Sequence, residues 1–248
     1  MYKKILKKIT EALGYKLVNK DLIKNQRSLD NYNLINTRLI LKLIFNNNNI
    51  KSLIQIGAND GKRFDEISKF IKNNNELKAV LVEPVKKYFE QLKENYKDLK
   101  NVRFENSAIS KNNEVNFLYC VKDRFLENYQ DHVKGINSNE IQHLLNHNVK
   151  KSHIEKIKVE TLTFKNLIKK YDLTEIDLLY IDVEGYDDKI VLDFLDNSHL
   201  RPILIFEYIH IKNTSLKILI KRLLNENYKI LRVEENIICY NKNFIIFK

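Results

Sequence analysis

Ser52-Leu53-Ile54-Gln55-Ile56-Gly57-Ala58-Asn59-Asp60-Gly61 is an apolar run that stops in a turn holding two of the chain's five glycines. A short apolar run closed by such a turn reads as a buried strand, and the pattern from Phe64 to Asn73 beyond it reads as a helix. Glycine permits positive φ and lets a ligand approach the backbone, and asparagine is among the few other residues that tolerate left-handed geometry. In open α/β sheets ligands sit beyond the carboxyl ends of strands, at turns of this kind. The stretch Gln55, Gly57, Asn59, Asp60 and Gly61 is therefore a candidate ligand-binding loop.

The next apolar run, Ala79 to Val82, ends at Glu83-Pro84, 22 residues after Gly61. An acid about 20 residues downstream, at the tip of the second strand, is the arrangement that holds a ribose diol. A dinucleotide loop needs G-x-G-x-x-G, but counting from Gly57 the second and third glycine slots hold Asn59 and Lys62. An adenosine ligand without phosphates needs the turn and the ribose acid but no pyrophosphate clasp, which favours S-adenosylmethionine over NAD.

Further along, helical and extended patterns alternate: Lys86 to Asn95 helical, Val102 to Glu105 and Val115 to Cys120 extended, Ile157 to Thr161 extended, Phe164 to Tyr171 helical. Asp177 to Val183 and Ile203 to Glu207 read as strands, Asp187 to Leu195 and Leu216 to Glu226 as helices, and Tyr228 to Glu234 with Ile237 to Phe247 as a closing antiparallel pair. Such alternation predicts βαβ units and a parallel sheet. The polar stretch from Lys122 to Lys156 is long for a bare loop and reads as a helical lid or substrate-binding insertion.

Upstream, Tyr32 to Phe45 reads as a helix and the Asn46 to Asn49 tract as the loop into the main domain, giving an N-terminal helical extension over 1–50 and a main domain over 51–248. Residues 2–18 form a basic amphipathic pattern, with Tyr2, Ile5, Leu6, Ile9, Ala12 and Leu13 on one face. Peripheral membrane contact through this face competes with packing on the core or a partner subunit, and packing is the favoured reading.

At 248 residues, 44% hydrophobic and 30% charged, the chain is too apolar for wholesale disorder. Its net charge of +11 admits nucleic acid, an anionic surface or an anionic substrate, but a general slant toward Lys, Asn and Ile explains it as well. Cys120 and Cys239 lack Cys-x-x-Cys spacing and read as free thiols. No apolar run is long enough to span a bilayer and the N-terminus lacks a signal-peptide core, so a cytoplasmic location is expected.

Gly57-Ala58-Asn59-Asp60-Gly61, Val82-Glu83-Pro84, Asn106-Ser107-Ala108-Ile109, Glu160-Thr161-Leu162-Thr163, Ile181-Asp182-Val183-Glu184-Gly185-Tyr186-Asp187 and Ile205-Phe206-Glu207 follow one another in order. This series resembles the FkbM-type S-adenosylmethionine-dependent methyltransferases over roughly residues 50 to 235. The resemblance implies an α/β, Rossmann-like class I methyltransferase: a mostly parallel twisted sheet with helices on both faces, an antiparallel C-terminal strand pair and a small N-terminal helical extension. It implies that Gln55, Gly57, Asn59, Asp60, Gly61, Glu83, Pro84 and Asp182 meet the methionine and ribose parts of S-adenosyl-L-methionine, with Ser107 and Ala108 flanking the adenine. The chain departs from the broader methyltransferase pattern at Gln55, often acidic, and at Asn59, often glycine.

Asp182, Glu184 and Asp187 cluster at the end of a predicted strand whose carboxyl edge faces the methyl donor in this fold. Methyl transfer from a sulfonium needs alignment and removal of the acceptor's proton. Asp182 or Glu184 is the candidate base, with Glu207 and His210 approaching from the next strand end. Mg²⁺ held by some of these carboxylates is a rival reading, and helix-terminal roles for Asp187 and Asp188 are another. His132, His143, His147 and His153 show no recognised ligand spacing and read as surface or packing residues, so no metal is assigned.

The resemblance implies a hydroxyl acceptor on a sugar, a glycan or another small molecule. Nucleic-acid methylation ranks below it, because base-flipping enzymes carry an Asn-Pro-Pro-Tyr type motif where this chain has Asp182-Val183-Glu184-Gly185. A non-catalytic module docking to a partner or membrane through the basic helix is the alternative of a different class, opposed by the combination of glycine turn, ribose acid and strand-end carboxylates.

Overall fold

The computed structural model describes residues 35–63, 65–111 and 116–247; the amphipathic segment 2–18 lies outside them, as do Phe64 and Val115, where a helix and a strand were expected to begin. In chain order the first elements are α1 (Thr37–Asn47), β1 (Ser52–Ile56), α2 (Ser68–Lys72), β2 (Lys78–Val82), α3 (Lys86–Asn95), β3 (Val102–Glu105) and β4 (Ala108–Ile109). Then come β5 (Phe117–Val121), α4 (Asp131–Lys134), α5 (Ile141–Asn146), β6 (Ile154–Lys158), β7 (Thr161–Leu162), α6 (Phe164–Tyr171), β8 (Leu178–Ile181) and α7 (Asp187–Asn197). β9 (Ile203–Glu207), α8 (Asn213–Asn225), β10 (Lys229–Val233) and β11 (Asn236–Tyr240) close the chain.

The sheet grows outward from β1, every residue of which is buried, as expected for a strand covered on both faces. β1 pairs in parallel with β2 on one side, Ile56 opposite Val82, and with β8 on the other, Ile56 opposite Ile181. The order across the seven strands is β10-β11-β9-β8-β1-β2-β3, with β11 antiparallel to both β9 and β10 and the rest parallel. Strand order reverses between β1 and β8, and the crevice beyond the carboxyl ends of two such strands is the ligand site of open α/β sheets.

Alternation along the strands feeds two cores. Ile54, Ile56, Val80, Val82, Leu179 and Ile181 pack with Phe164 of α6, Phe194 of α7 and Leu219 of α8. Leu53, Ala79, Leu81, Leu178 and Tyr180 face the other way, onto Ile40, Leu41 and Ile44 of α1, Ile71 of α2 and Leu92 of α3. The fold is thus the expected mostly parallel Rossmann-like sheet with helices on both faces and an antiparallel C-terminal pair. The compact unit runs from Thr37 to Lys248, so α1 packs on the sheet although the sequence put the domain boundary near residue 50.

Side-chain hydrogen bonds account for the shifted element ends. The helix expected over 64–73 starts only at Ser68, because Asp65 Oδ1 accepts from the amides of Ile67 and Ser68 and holds the preceding residues in a turn. The Asn46–Asn49 tract is more than a loop. α1 continues through Asn47, Asn47 Nδ2 donates to the Ile246 carbonyl, and Asn48 Nδ2 donates to the carbonyls of Ile44 and Ile245. The last expected strand therefore stops at Tyr240, and residues 245 and 246 bond to the end of α1 instead.

The 122–156 stretch is folded: β5 and β6 form an antiparallel pair enclosing α4 and α5, around Val121, Val133, Ile136, Leu144, Val149 and Ile154. It is fastened above the sheet edge by Tyr88 Oη, which donates to the Lys134 carbonyl at 2.7 Å, and by Asn59 Nδ2, which donates to the Gly135 carbonyl at 3.1 Å. Among the described residues no helix is long and apolar enough to cross a membrane.

Candidate active site

The turn after β1 is shaped by a contact that admits no side chain. Gly57 has φ +85°, and a Cβ there would stand 1.8 Å from the Asp182 carbonyl oxygen. The amides of Gly57 and Ala58 both donate to the Val82 carbonyl, and Asn59 adopts the left-handed conformation expected of it, φ +48°. The Glu83 carboxylate lies under this turn, its Oε2 accepting from the Asn59 amide at 2.9 Å and its Oε1 from the Val85 amide at 2.8 Å. Burial pushes the Glu83 carboxyl up to about 7 despite those two bonds, with the Asp60 charge adding to the rise.

A cavity of about 740 Å³ opens on this turn. Gln55, Gly57, Asn59, Glu83, Pro84, Ser107, Ala108 and Asp182, all expected at a cofactor, line it. Asp60 and Gly61 do not. Asp60 turns the other way, its Oδ1 accepting from the amides of Lys62 and Arg63 and its Oδ2 from Arg63 Nε at 2.7 Å, so it braces the loop from behind. Its carboxyl is held below the ordinary range: burial pushes upward, but the bonds from Arg63 and Lys62 outweigh it. Gly61 is packed against Leu92 and Tyr96 of the α3 region. Spacing alone placed both residues in the loop; only the direction of the turn separates them from the cavity.

The far end of the cavity is acidic. Asp182 and Glu184 come from the end of β8, and Glu207 and His210 from the end of β9. Asp182 is open to the cavity although protein surrounds it, and that setting, with the Glu184 charge, pushes its carboxyl up to about 7. Burial and the charges of Asp182, Glu184 and Asp187 push Glu207 up to about 9. His210 Nε2 stands 3.7 Å from Glu207 Oε2 and 3.8 Å from Glu184 Oε2. Asp187 is fully buried, takes the Gly185 amide at 3.2 Å and starts α7, so its part is structural.

The insertion supplies what the sequence reading missed. His143 and His147 lie four residues apart on α5 and its end, a spacing that puts two imidazoles on one helical face, and they reach the Glu184–His210 group from above. That spacing was the available signal. Asp65, beside Gln55 on the cavity wall and pushed by burial to about 6, was also missed, as no strand or glycine marks it.

The model of the methyltransferase FkbM domain matches residues 55–230 of the chain. The chain belongs to the FkbM methyltransferase family. No curated protein matches this FkbM chain. Among solved structures it is similar to a methyltransferase from Geobacter sulfurreducens (10% identity, covering 94% of this chain and 95% of that one, TM-score 0.43). It is also similar to M. capricolum TrmK in complex with S-adenosyl-homocysteine (16%, 85% and 70%, 0.41) and to the ribosomal protein L11 methylase of Lactobacillus delbrueckii subsp. bulgaricus (12%, 82% and 75%, 0.41).

The cofactor of this FkbM methyltransferase is S-adenosylmethionine, and the residues present fit it. Glu83 lines the cavity, and the buried Ser107 Oγ and Gln55 Oε1, both on the cavity wall, have no hydrogen-bond partner among the described residues. The carboxylates at the far end suit a ligand that carries positive charge.

Proposed function

We propose that this methyltransferase acts on a hydroxyl group of a sugar, a glycan or another small hydroxylated molecule. The observation carrying this reading is that one cavity joins the Gly57 turn and Glu83 to the Asp182, Glu184, Glu207 and His210 group. S-adenosylmethionine supplies an activated methyl group. The protein has two tasks left, alignment of the acceptor and removal of its proton. Asp182, open to the cavity at the strand end, takes that proton, while Glu184, Glu207 and His210 orient the hydroxyl. Glu83 and Asn59 hold the ribose end, Ser107 and Ala108 border the adenine, and the insertion closes over the acceptor and excludes water.

The acceptor end speaks for a neutral acceptor: Glu184, on the cavity wall without a lysine or arginine ion pair among the described residues, disfavours a phosphate backbone there, whatever the net charge of the whole chain. We also propose a cytoplasmic site of action, tested by fractionation; for residues 2–18 packing on the core or a partner is the favoured reading over membrane docking, and liposome binding by the full chain that is lost in a chain lacking residues 1–20 would reverse that preference.

The test is a calorimetric titration with S-adenosylmethionine, S-adenosylhomocysteine and NAD, followed by methyl transfer from labelled cofactor to a panel beginning with sugars. Selective binding of the first two, weakened in Glu83→Ala, is expected, and Asp182→Asn should lose about 100-fold or more in turnover. Transfer to RNA or protein with none to hydroxylated small molecules would overturn the acceptor class.

A further inference from the structure

We propose that His143, His147, His210 and Glu184 form a binding site for a divalent transition-metal ion of the zinc class, at the acceptor end of the cavity. One ring nitrogen from each of the three histidines lies within 4.8 Å of the others, and Glu184, Glu207 and His210 form a second set with the same spread. His210 belongs to both, and His143 Nε2 stands 2.8 Å from Glu184 Oε2, so the three histidines and Glu184 form one linked cluster. The rings do not stack: His143 and His210 meet edge to face at 85° with centroids 4.2 Å apart, and His143 and His147 are tilted by 42° at 5.0 Å.

A plain hydrogen-bonded cluster would pair its polar atoms, and this one does not. The His143 side chain is 9% exposed, and its Nε2, 2.8 Å from Glu184 Oε2, lacks hydrogen-bond geometry there and has no other hydrogen-bond partner among the described residues. Glu207 Oε2 is likewise buried without a hydrogen bond. Among the described residues these two buried atoms without a hydrogen bond flank the Glu184–His210 pair, His143 Nε2 from the insertion at 2.8 Å from Glu184 Oε2 and Glu207 Oε2 from β9 at 3.7 Å from His210 Nε2. No lysine or arginine among the described residues forms an ion pair with Glu184 or Glu207; the imidazoles of His143 and His210 stand close to their carboxylates. The cluster therefore offers nitrogen and oxygen donors with no lysine or arginine among them.

Three imidazoles and a carboxylate select zinc, iron, cobalt or nickel over magnesium, which prefers an all-oxygen shell. Tetrahedral zinc wants nitrogens about 2.0–2.1 Å from the ion, so the three side chains must close in, each by roughly an ångström. The ligands leave a side open toward the cavity, since His147, His210 and Glu184 line it. That opening is where an acceptor oxygen would lie, a use that rests on the reading proposed above; the binding of the ion does not.

The full chain, stripped by chelation and dialysis, is titrated with ZnCl₂ by calorimetry and with CoCl₂ by visible absorption. One ion per chain is expected, with the intense d–d bands of four- or five-coordinate cobalt. His147→Ala and His210→Ala should each weaken zinc binding by about 10- to 100-fold or more, while His199→Ala, on the exposed surface, should not. Circular dichroism checks that the variants fold, and S-adenosylhomocysteine binding is measured on the same samples. No saturable zinc binding, or equal binding by a His147→Ala/His210→Ala double variant, overturns the site even if S-adenosylhomocysteine still binds. Tight, histidine-dependent zinc binding supports it even if S-adenosylhomocysteine does not bind, in which case only the methyltransferase site assignment fails.

Discussion

Gly57 and Asp182 touch backbone to backbone across the reversal point of the sheet, with room for a hydrogen but none for a methyl group between Gly57 Cα and the Asp182 carbonyl oxygen. The contact joins the two halves of the cavity, because the glycine turn begins after Ile56 and the acidic group starts at Asp182. Gly57→Ala meets both the backbone clash and a positive φ, and is expected to cost about 4 kcal/mol or more or to prevent folding. Urea unfolding measures it. A stability within about 1 kcal/mol of the natural chain would show that the two strand ends separate easily.

In the proposed site Glu83 links cofactor binding to pH. Its carboxyl sits near 7 in the folded chain against 4.5 when free, so between those values the unfolded chain has lost a proton that the folded chain retains. Stability therefore falls as pH rises through this window and levels above about 7. Ligand affinity runs the other way if the ribose diol takes the ionised form, and S-adenosylhomocysteine should bind close to tenfold more weakly near pH 6 than near pH 8. Calorimetry across that range checks the slope, and Glu83→Gln should flatten it.

Tyr88 fastens the insertion to the main sheet. Tyr88→Phe removes the bond to the Lys134 carbonyl, leaves that oxygen unpaired and should cost about 1 kcal/mol. Limited proteolysis is the sharper readout, since residues 122–153 should be cut faster in the variant and no faster elsewhere.

Asn48 is a clasp between the two ends of the packed unit. Besides its two donated bonds, its Oδ1 accepts from the Ile245 amide at 2.8 Å. Asn48→Ala should lower stability by about 1–2 kcal/mol without changing S-adenosylhomocysteine affinity, because the clasp lies away from the cavity. An unchanged denaturation midpoint would mean that water replaces all three bonds at no cost.

Much of the cavity lining was readable because its residues lie at strand ends, and a buried strand shows in the sequence as an apolar run with a definite last residue. Gly57, Asn59, Glu83, Asp182 and Glu207 each stand within three residues of such an end. Asp60 and Gly61 belong to the same motif yet face α3, since a side chain's direction in a loop depends on hydrogen bonds such as those from Lys62 and Arg63. Asp65 is invisible to pattern reading for the converse reason: it stands in a turn and reaches the cavity only because the chain doubles back.

The sequence by itself determined the alternation of strands and helices, the glycine turn and the acids that end β2, β8 and β9, because hydrophobic period, turn chemistry and residue type are local properties. Only the tertiary structure decided that His143 and His147, on α5 and its end more than thirty residues before Glu184, meet the Glu184–His210 group. Such convergence depends on strand order and on how the insertion's own core, around Val133, Ile136 and Leu144, settles against the sheet. Contacts between distant segments are set by packing, and no local pattern encodes them.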